Sequence, residues 1–207
     1  MDTAQILYEK GKITYMRTDS TNLSDDCIAD VKGYIGDTYG DKYYKERRYN
    51  KKVANSQEAH EAIRPVNILE KSLGDDCSSY EKKLYSLIWK RTIASQMEDQ
   101  KLDVYKINTL MDKWKIVSSY DVETFDGYTV LDKKAKEDYS DILELVKGLS
   151  KGDTLDCLEI VAEEKWTKSQ SRYTEASLIK ELEKRGIGRP STYSNIVSTI
   201  EDRGYVI

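Results

Sequence analysis

The apolar residues of this chain change their period twice, and no other feature limits its fold as much. From Ser24 to about Gly36, Ile28, Val31 and Ile35 share one helical face behind an N-capping serine, with Asp25 and Asp26 suiting the positive end of the helix dipole. A second helical stretch is expected at Ala59–Ile63, stopping at Arg64 because the residue before Pro65 is pushed out of the α region. A third runs over about Ser79–Met97 through Leu84, Leu87 and Ile88, and the polar, tyrosine-rich segment Gly36–Lys52 reads as an exposed loop or short helix. After Glu98 the period falls to two, through Leu102, Val104, Ile107 and Leu110 and then Trp114, Ile116 and Val122 to Val130. That pattern predicts antiparallel strands with a hairpin turn at Asp126-Gly127, and Leu155–Ala162 alternates as a further strand. Ile142–Leu149 is short and ambiguous. Helical spacing returns behind Thr174 and stops at Gly186; Pro190 and Ser191 then open a last helix that ends at Gly204. The expected fold class is α+β and multidomain: a mostly helical unit at 1–98, a β-rich unit at 99–167 and a helical start of another at 168–207.

Composition narrows the function classes. The chain of 207 residues carries 33 Lys and Arg against 37 Asp and Glu, a formal net charge of −4, which excludes a simple basic arm. Its 39% hydrophobic content is lean for this length and points to a piece of something larger whose missing parts cover its surfaces. No run of about 18 apolar residues exists and Met1–Lys12 lacks an apolar h-region, so an intracellular protein without a membrane partner is expected. Three separated cysteines and one histidine do not make a zinc site. Tyr outnumbers Phe 16 to 1, which suits base stacking at a wet surface, although a compositional bias explains the ratio as well.

Three stretches are dense in phosphate-contacting residues. In Gly11-Lys12-Ile13-Thr14-Tyr15-Met16-Arg17-Thr18-Asp19-Ser20-Thr21-Asn22, a tyrosine stands two residues from an arginine, on the same face if the stretch is extended. A phenol is a weak nucleophile near neutral pH; a fixed cation beside it favours the phenolate and can clamp a phosphodiester oxygen. A packed tyrosine beside a solvated arginine explains the same residues. The second stretch, 55–65, holds the single histidine, His60, which can donate to phosphate, transfer a proton or simply lie on a helix surface. In the third, Gly186-Ile187-Gly188-Arg189-Pro190-Ser191-Thr192-Tyr193, a helix N-terminus with Arg and hydroxyls forms a sensible anion site or a bare helix connector.

The first stretch closely resembles the active-site signature of type IA DNA topoisomerases. The likeness continues in order through Glu-Ala-His-Glu-Ala-Ile-Arg-Pro at 58–65, Arg-Tyr-Thr-Glu-Ala-Ser-Leu-Ile-Lys at 172–180 and Gly-Ile-Gly-Arg-Pro-Ser-Thr-Tyr at 186–193. The resemblance implies that Tyr15 is a nucleophile forming a 5′-phosphotyrosyl link with one DNA strand and that Arg17 clamps the scissile phosphate. It implies that Thr18, Asp19 and Ser20 shape the pocket, that His60 lies near nucleotide phosphate, and that Arg189, Ser191 and Thr192 bind the strand. Arg172 and Lys180 are implied as backbone contacts. The partners it implies are single-stranded DNA and, on the same polypeptide, a toprim domain and the rest of a strand-binding domain; the β-rich segment becomes part of an arch. Mg²⁺ is the implied cofactor, held by toprim carboxylates that this chain does not contain, since no Asp-x-Asp occurs in it. A central fragment of such an enzyme, inactive in cleavage by itself, is therefore expected.

Two positions depart from the family's pattern: Lys12 stands where an apolar residue is usual, and Ser169-Gln170 where prolines are usual. A non-catalytic module for single-stranded nucleic acid, using the tyrosines as a stacking platform and the helix N-terminus at Arg189 as a phosphate site, is the alternative, with a scaffold that docks on protein behind it.

Overall fold

The computed structural model describes residues 2–18, 20–49, 60–132 and 140–206. Its elements in order are α1 (Asp2–Glu9), α2 (Asp25–Tyr39), α3 (Ser79–Ser95), β1 (Lys101–Met111), β2 (Trp114–Phe125), α4 (Ser140–Gly148), α5 (Glu175–Lys184) and α6 (Tyr193–Asp202), with short 3₁₀ turns at Asp41–Tyr43 and Gly127–Leu131. This is the mixed α+β class expected. Among the described residues, no helix is long and apolar enough to cross a membrane. The chain divides into one compact unit of residues 1–99, 127–131 and 173–207 and another of 100–126 and 132–172.

The first unit holds the core. Leu7, Ile13, Val31, Ile35, Tyr85, Trp89, Ile93 and Met97 are all buried together. Ser24 caps α2 as expected, its hydroxyl accepting from the Cys27 amide. Ser78 and Glu81 form a reciprocal capping box at α3, each side chain accepting from the other's backbone N–H. Glu81 also pairs with Lys10 at 3.1 Å, so the α3 cap is tied to the end of α1, which packs on α3. The hydrogen bond from the Ser78 amide, then Lys10, holds the Glu81 carboxyl below its ordinary value. Trp89 Nε1 donates to the Ile68 carbonyl at 2.8 Å, and Tyr85 Oη donates to the Glu70 carbonyl at 2.6 Å. Burial, helped by the Glu70 carboxylate, pushes the Tyr85 phenol up to about 12. Tyr85 is thus a packing tyrosine.

Four elements differ from expectation. Helix α1 has too short an apolar pattern to announce itself, yet its Leu7 is fully buried. Residues 60–64 are not helical: their hydrogen bonds go to the segment around Thr14 and Asn22 instead of to the preceding turn, and Ala59 lies outside the described residues. The hairpin turn is at Asp112-Lys113, where Asp112 takes φ +52, and β1 pairs with β2 from Met111↔Trp114 to Lys101↔Phe125. Aspartate tolerates the left-handed region well enough to serve there without glycine. Gly127, expected in that turn, instead takes φ +51 against the Asp99 backbone, where a Cβ would lie 2.5 Å from the Asp99 carbonyl carbon. Lastly, Leu155–Ala162 forms no strand, and Leu158, Ile160 and Val161 are exposed. Alternation supplies a face, but a ladder needs a neighbour, and no strand lies beside this segment among the described residues.

Candidate active site

Tyr15 is positioned by a short run of backbone set up by the end of α1. Gly11, at φ +66, stops the helix; its N–H donates to the Tyr8 carbonyl and the Lys12 N–H donates to Leu7. Lys12, the residue unusual for the pattern, makes a 2.8 Å ion pair with Glu70 instead of packing. Ile13 is then buried and bridges Pro65 in antiparallel sense. Thr14 closes the pairing: its N–H donates to the Arg64 carbonyl at 2.9 Å, its hydroxyl donates to the Ala62 carbonyl at 2.7 Å, and the same hydroxyl accepts from the Arg64 N–H at 2.9 Å. The Ala62 N–H donates to Asn22 at 2.7 Å, so the 60–65 segment is held on both sides. The anchored neighbours leave Tyr15 to project outward.

The Tyr15 side chain is 36% exposed and ringed by three groups. Tyr8 meets it edge-on at 5.4 Å between ring centroids, His60 meets it nearly perpendicular at 6.0 Å, and the Arg17 guanidinium lies 5.4 Å from its centroid. Arg17 thus lies against the Tyr15 ring, although residues 15–17 form no strand. His60 Nδ1 lies 2.9 Å from the Glu61 carbonyl. A carbonyl only accepts, so in this contact Nδ1 carries the proton. Glu61 binds Arg64 Nε at 2.6 Å. Burial opposes ionisation of Glu61, but hydrogen bonds from Arg64 and Ser24 and the guanidinium charge outweigh it and hold the carboxyl below its ordinary value.

Thr18 and Ser20 line a cleft of about 600 Å³ in the same unit; Asp19 lies outside the described residues. The cleft also takes in Arg47, Tyr49 and Arg91, which no short motif singled out. They arrive through tertiary pairing: Tyr44 bridges Met97, and Lys45 N–H donates to the Gln96 carbonyl while Glu98 N–H donates to Tyr43. Gln96, fully buried, accepts from the Arg47 amide at 3.0 Å and donates to the Arg47 carbonyl at 2.9 Å. Arg47 in turn pairs with Asp99 at 2.8 Å and donates to the Met97 carbonyl. Only the basic, tyrosine-rich composition of 43–49 hinted at this wall.

The third stretch forms its own turn. Gly188, at φ +77, sits where a Cβ would meet Ile196 Cδ1 at 2.9 Å. Thr192 Oγ1 accepts from the Arg189 amide at 2.9 Å and donates to the Arg189 carbonyl at 3.0 Å, while the Arg189 guanidinium donates to Gly188. Helix α6 begins at Tyr193, so the Pro190 and Ser191 start is displaced into this turn, and Ser191 is exposed. Lys180 is on α5 and exposed; Arg172 is exposed and falls in the other compact unit. Among the described residues no group of three or more His, Cys, Asp or Glu is placed to hold a metal ion.

An exposed tyrosine flanked by guanidinium and imidazole, within four ordered motifs on an α+β chain, defines a class, and the comparisons agree with it. The model of the DNA topoisomerase family matches residues 1–207, and the chain belongs to that family, in its type IA branch. Over its whole length it is 49% identical to DNA topoisomerase 1 of Escherichia coli and 48% identical to DNA topoisomerase 1 of Salmonella typhimurium, covering 24% of each. It also matches the structure of full-length topoisomerase I from Thermotoga maritima with a TM-score of 0.73 and 33% identity, covering all of this chain and 34% of that one. The chain thus spans about a quarter of the length of these curated relatives.

Proposed function

We propose that this chain carries the strand-cleaving tyrosine of an enzyme that cuts and rejoins one DNA strand, and so relaxes negative supercoils. The observation that supports this best is the Tyr15 side chain, part-exposed on an anchored backbone with Arg17 and His60 at its ring. The Tyr15 oxygen attacks the phosphorus; the bond to phosphorus forms as the bond to the 3′ oxygen breaks. The phenolic proton leaves to solvent or a base, and the departing 3′ oxygen is protonated. One phosphodiester is exchanged for another, so no nucleotide triphosphate is consumed, and the 3′-hydroxyl reverses the step.

Arg17 neutralises charge on the non-bridging oxygens as the transition state forms. His60 lies near the same phosphate. Thr18, Asp19 and Ser20 shape the strand's path, and Arg189, Ser191 and Thr192, with Arg172 and Lys180 as backbone contacts, hold the strand further along. The chain's described residues do not gather a site that fits Mg²⁺. The reading places that ion on toprim carboxylates of the larger polypeptide, and no step above passes through it. DNA as substrate makes the expected setting intracellular.

The experiment is incubation of the 207-residue chain with end-labelled single-stranded DNA, reading binding and covalent adduct separately. Binding that weakens with salt, with no adduct from the chain alone, is expected; efficient adduct formation by the chain alone refutes its dependence on a toprim domain. Failure to bind single strands at low salt refutes the substrate class.

A further inference from the structure

The cleft lined by Thr18 and Ser20, close in sequence to Tyr15, contains groups that the chemistry at Tyr15 does not use. Thr18 and Ser20 enter it from the loop after Tyr15, Tyr49 from the segment paired with 96–98, Arg91 from the last turns of α3, and Tyr128 from the 3₁₀ turn. Of its two cations only one is available. Arg47 is engaged by Asp99 at 2.8 Å and by the Ser95 and Met97 carbonyls. Arg91 is exposed and makes no ion pair with any described residue. Tyr49 and Tyr128 are 41% and 45% exposed, and Ala62 and Ile63 give the wall an apolar part.

A bare phosphate needs neither rings nor apolar wall, and an apolar peptide needs no unpaired guanidinium. An unstacked nucleotide matches all three features, and about 600 Å³ is room enough for one with its sugar and phosphate. The end of α3 also orients it. The helix's C-terminal end is negative and disfavours an anion deep in the cleft, so the phosphate belongs at exposed Arg91 and the base inside.

We infer that this cleft is a nucleotide subsite of the strand path, with the base against Tyr49 or Tyr128, the sugar-phosphate against Thr18 and Ser20, and the next phosphate on Arg91. The inference rests on the single-strand reading above and adds a second contact to the strand beyond the tyrosine's own phosphate.

The test is photocrosslinking of the 207-residue chain to an oligonucleotide bearing 5-iodouracil, with peptide mapping, alongside binding of oligothymidylate by Arg91→Ala, Arg91→Lys and Tyr49→Ala. Crosslinks at Tyr49 or Tyr128 are expected, with a loss of roughly tenfold in affinity for Tyr49→Ala. Arg91→Ala is expected to lower the salt slope by about 0.7, as one lost phosphate contact on a single strand does, and Arg91→Lys to restore it. Thymidine monophosphate should compete better than inorganic phosphate; equal competition marks an anion site only and overturns the nucleotide subsite. Tight binding with crosslinks confined elsewhere and no effect of either alanine overturns the subsite while leaving the proposed function standing. No binding by the unaltered chain overturns both.

Discussion

Replacing Thr14 by valine removes the clasp that holds the His60–Pro65 segment against the tyrosine's backbone while keeping the side chain's shape. Two hydrogen bonds are lost, the hydroxyl's own to Ala62 at 2.7 Å and the one it accepts from the Arg64 amide at 2.9 Å. Each contributes about 0.5–1.5 kcal/mol net, and the Arg64 amide and Ala62 carbonyl are left partly unsatisfied because the site is only half-buried. The expected cost is therefore about 2 kcal/mol, which for a unit of about 140 residues lowers Tm by roughly 5–9 °C. Thr14→Ser keeps the hydroxyl and should lose less than half as much. The assay is thermal unfolding followed by circular dichroism, with the Tyr15–His60 proximity read from the His60 ring resonances in NMR. A valine variant within about 0.5 kcal/mol of the parent, with those resonances unmoved, refutes the clasp.

Other perturbations test the frame around the site. Leu7→Ala should destabilise the first unit by about 2–4 kcal/mol in chemical denaturation, because this fully buried side chain is what α1 contributes to the core. Gly127→Ala should cost at least about 1–3 kcal/mol, since the new methyl meets the Glu98–Asp99 backbone at a positive φ; a neutral result in the same measurement removes that account. Glu81, held below its ordinary value of 4.5 by the Ser78 amide and Lys10, stabilises the fold above that value and loses its contribution as pH falls through the lower folded-state value. Thermal melts from about pH 6 down to about pH 3 should show that loss, and Glu81→Gln should flatten it. Tyr85 works in the opposite range: its neutral form is favoured in the fold, so its contribution is complete below 10 and lost as pH rises toward about 12, and Tyr85→Phe should reduce that alkaline loss.

The elements legible from sequence are those with local punctuation. α2 and α5 were readable because Ser24 and Thr174 announce their starts through side-chain to backbone bonds within three residues, and α3 because Leu84, Leu87 and Ile88 recur at helical spacing; its Ser78–Glu81 capping box emerged only with the structure. The turn at Asp112-Lys113 was not, because Asp126-Gly127 carries the stronger dipeptide signal while its glycine is required for close packing on Asp99. The non-helical 60–65 segment was hidden for a similar reason: partners 48 to 50 residues away at Thr14 outcompete local helix formation. The same division holds at the site. Tyr15 and Arg17 meet through their closeness in sequence, but their approach to His60 depends on that long-range pairing, as does the arrival of Arg47 and Tyr49 beside Thr18 and Ser20. Net charge was uninformative because many of the cations, such as Lys10, Lys12, Lys45, Arg47 and Arg48, are paired within the fold, so the global sum says little about any one local cluster.

The proposed covalent link to DNA is made through one atom, the Tyr15 phenolic oxygen. The direct measurement is to exchange this chain for the matching segment of Escherichia coli DNA topoisomerase 1, to which it is 49% identical, trap the enzyme on single-stranded DNA, and map the linked residue by mass spectrometry. A 5′-phosphate on Tyr15, absent in the Tyr15→Phe exchange, is the predicted result. A folded chimera that forms no link, or a link that survives Tyr15→Phe, contradicts it.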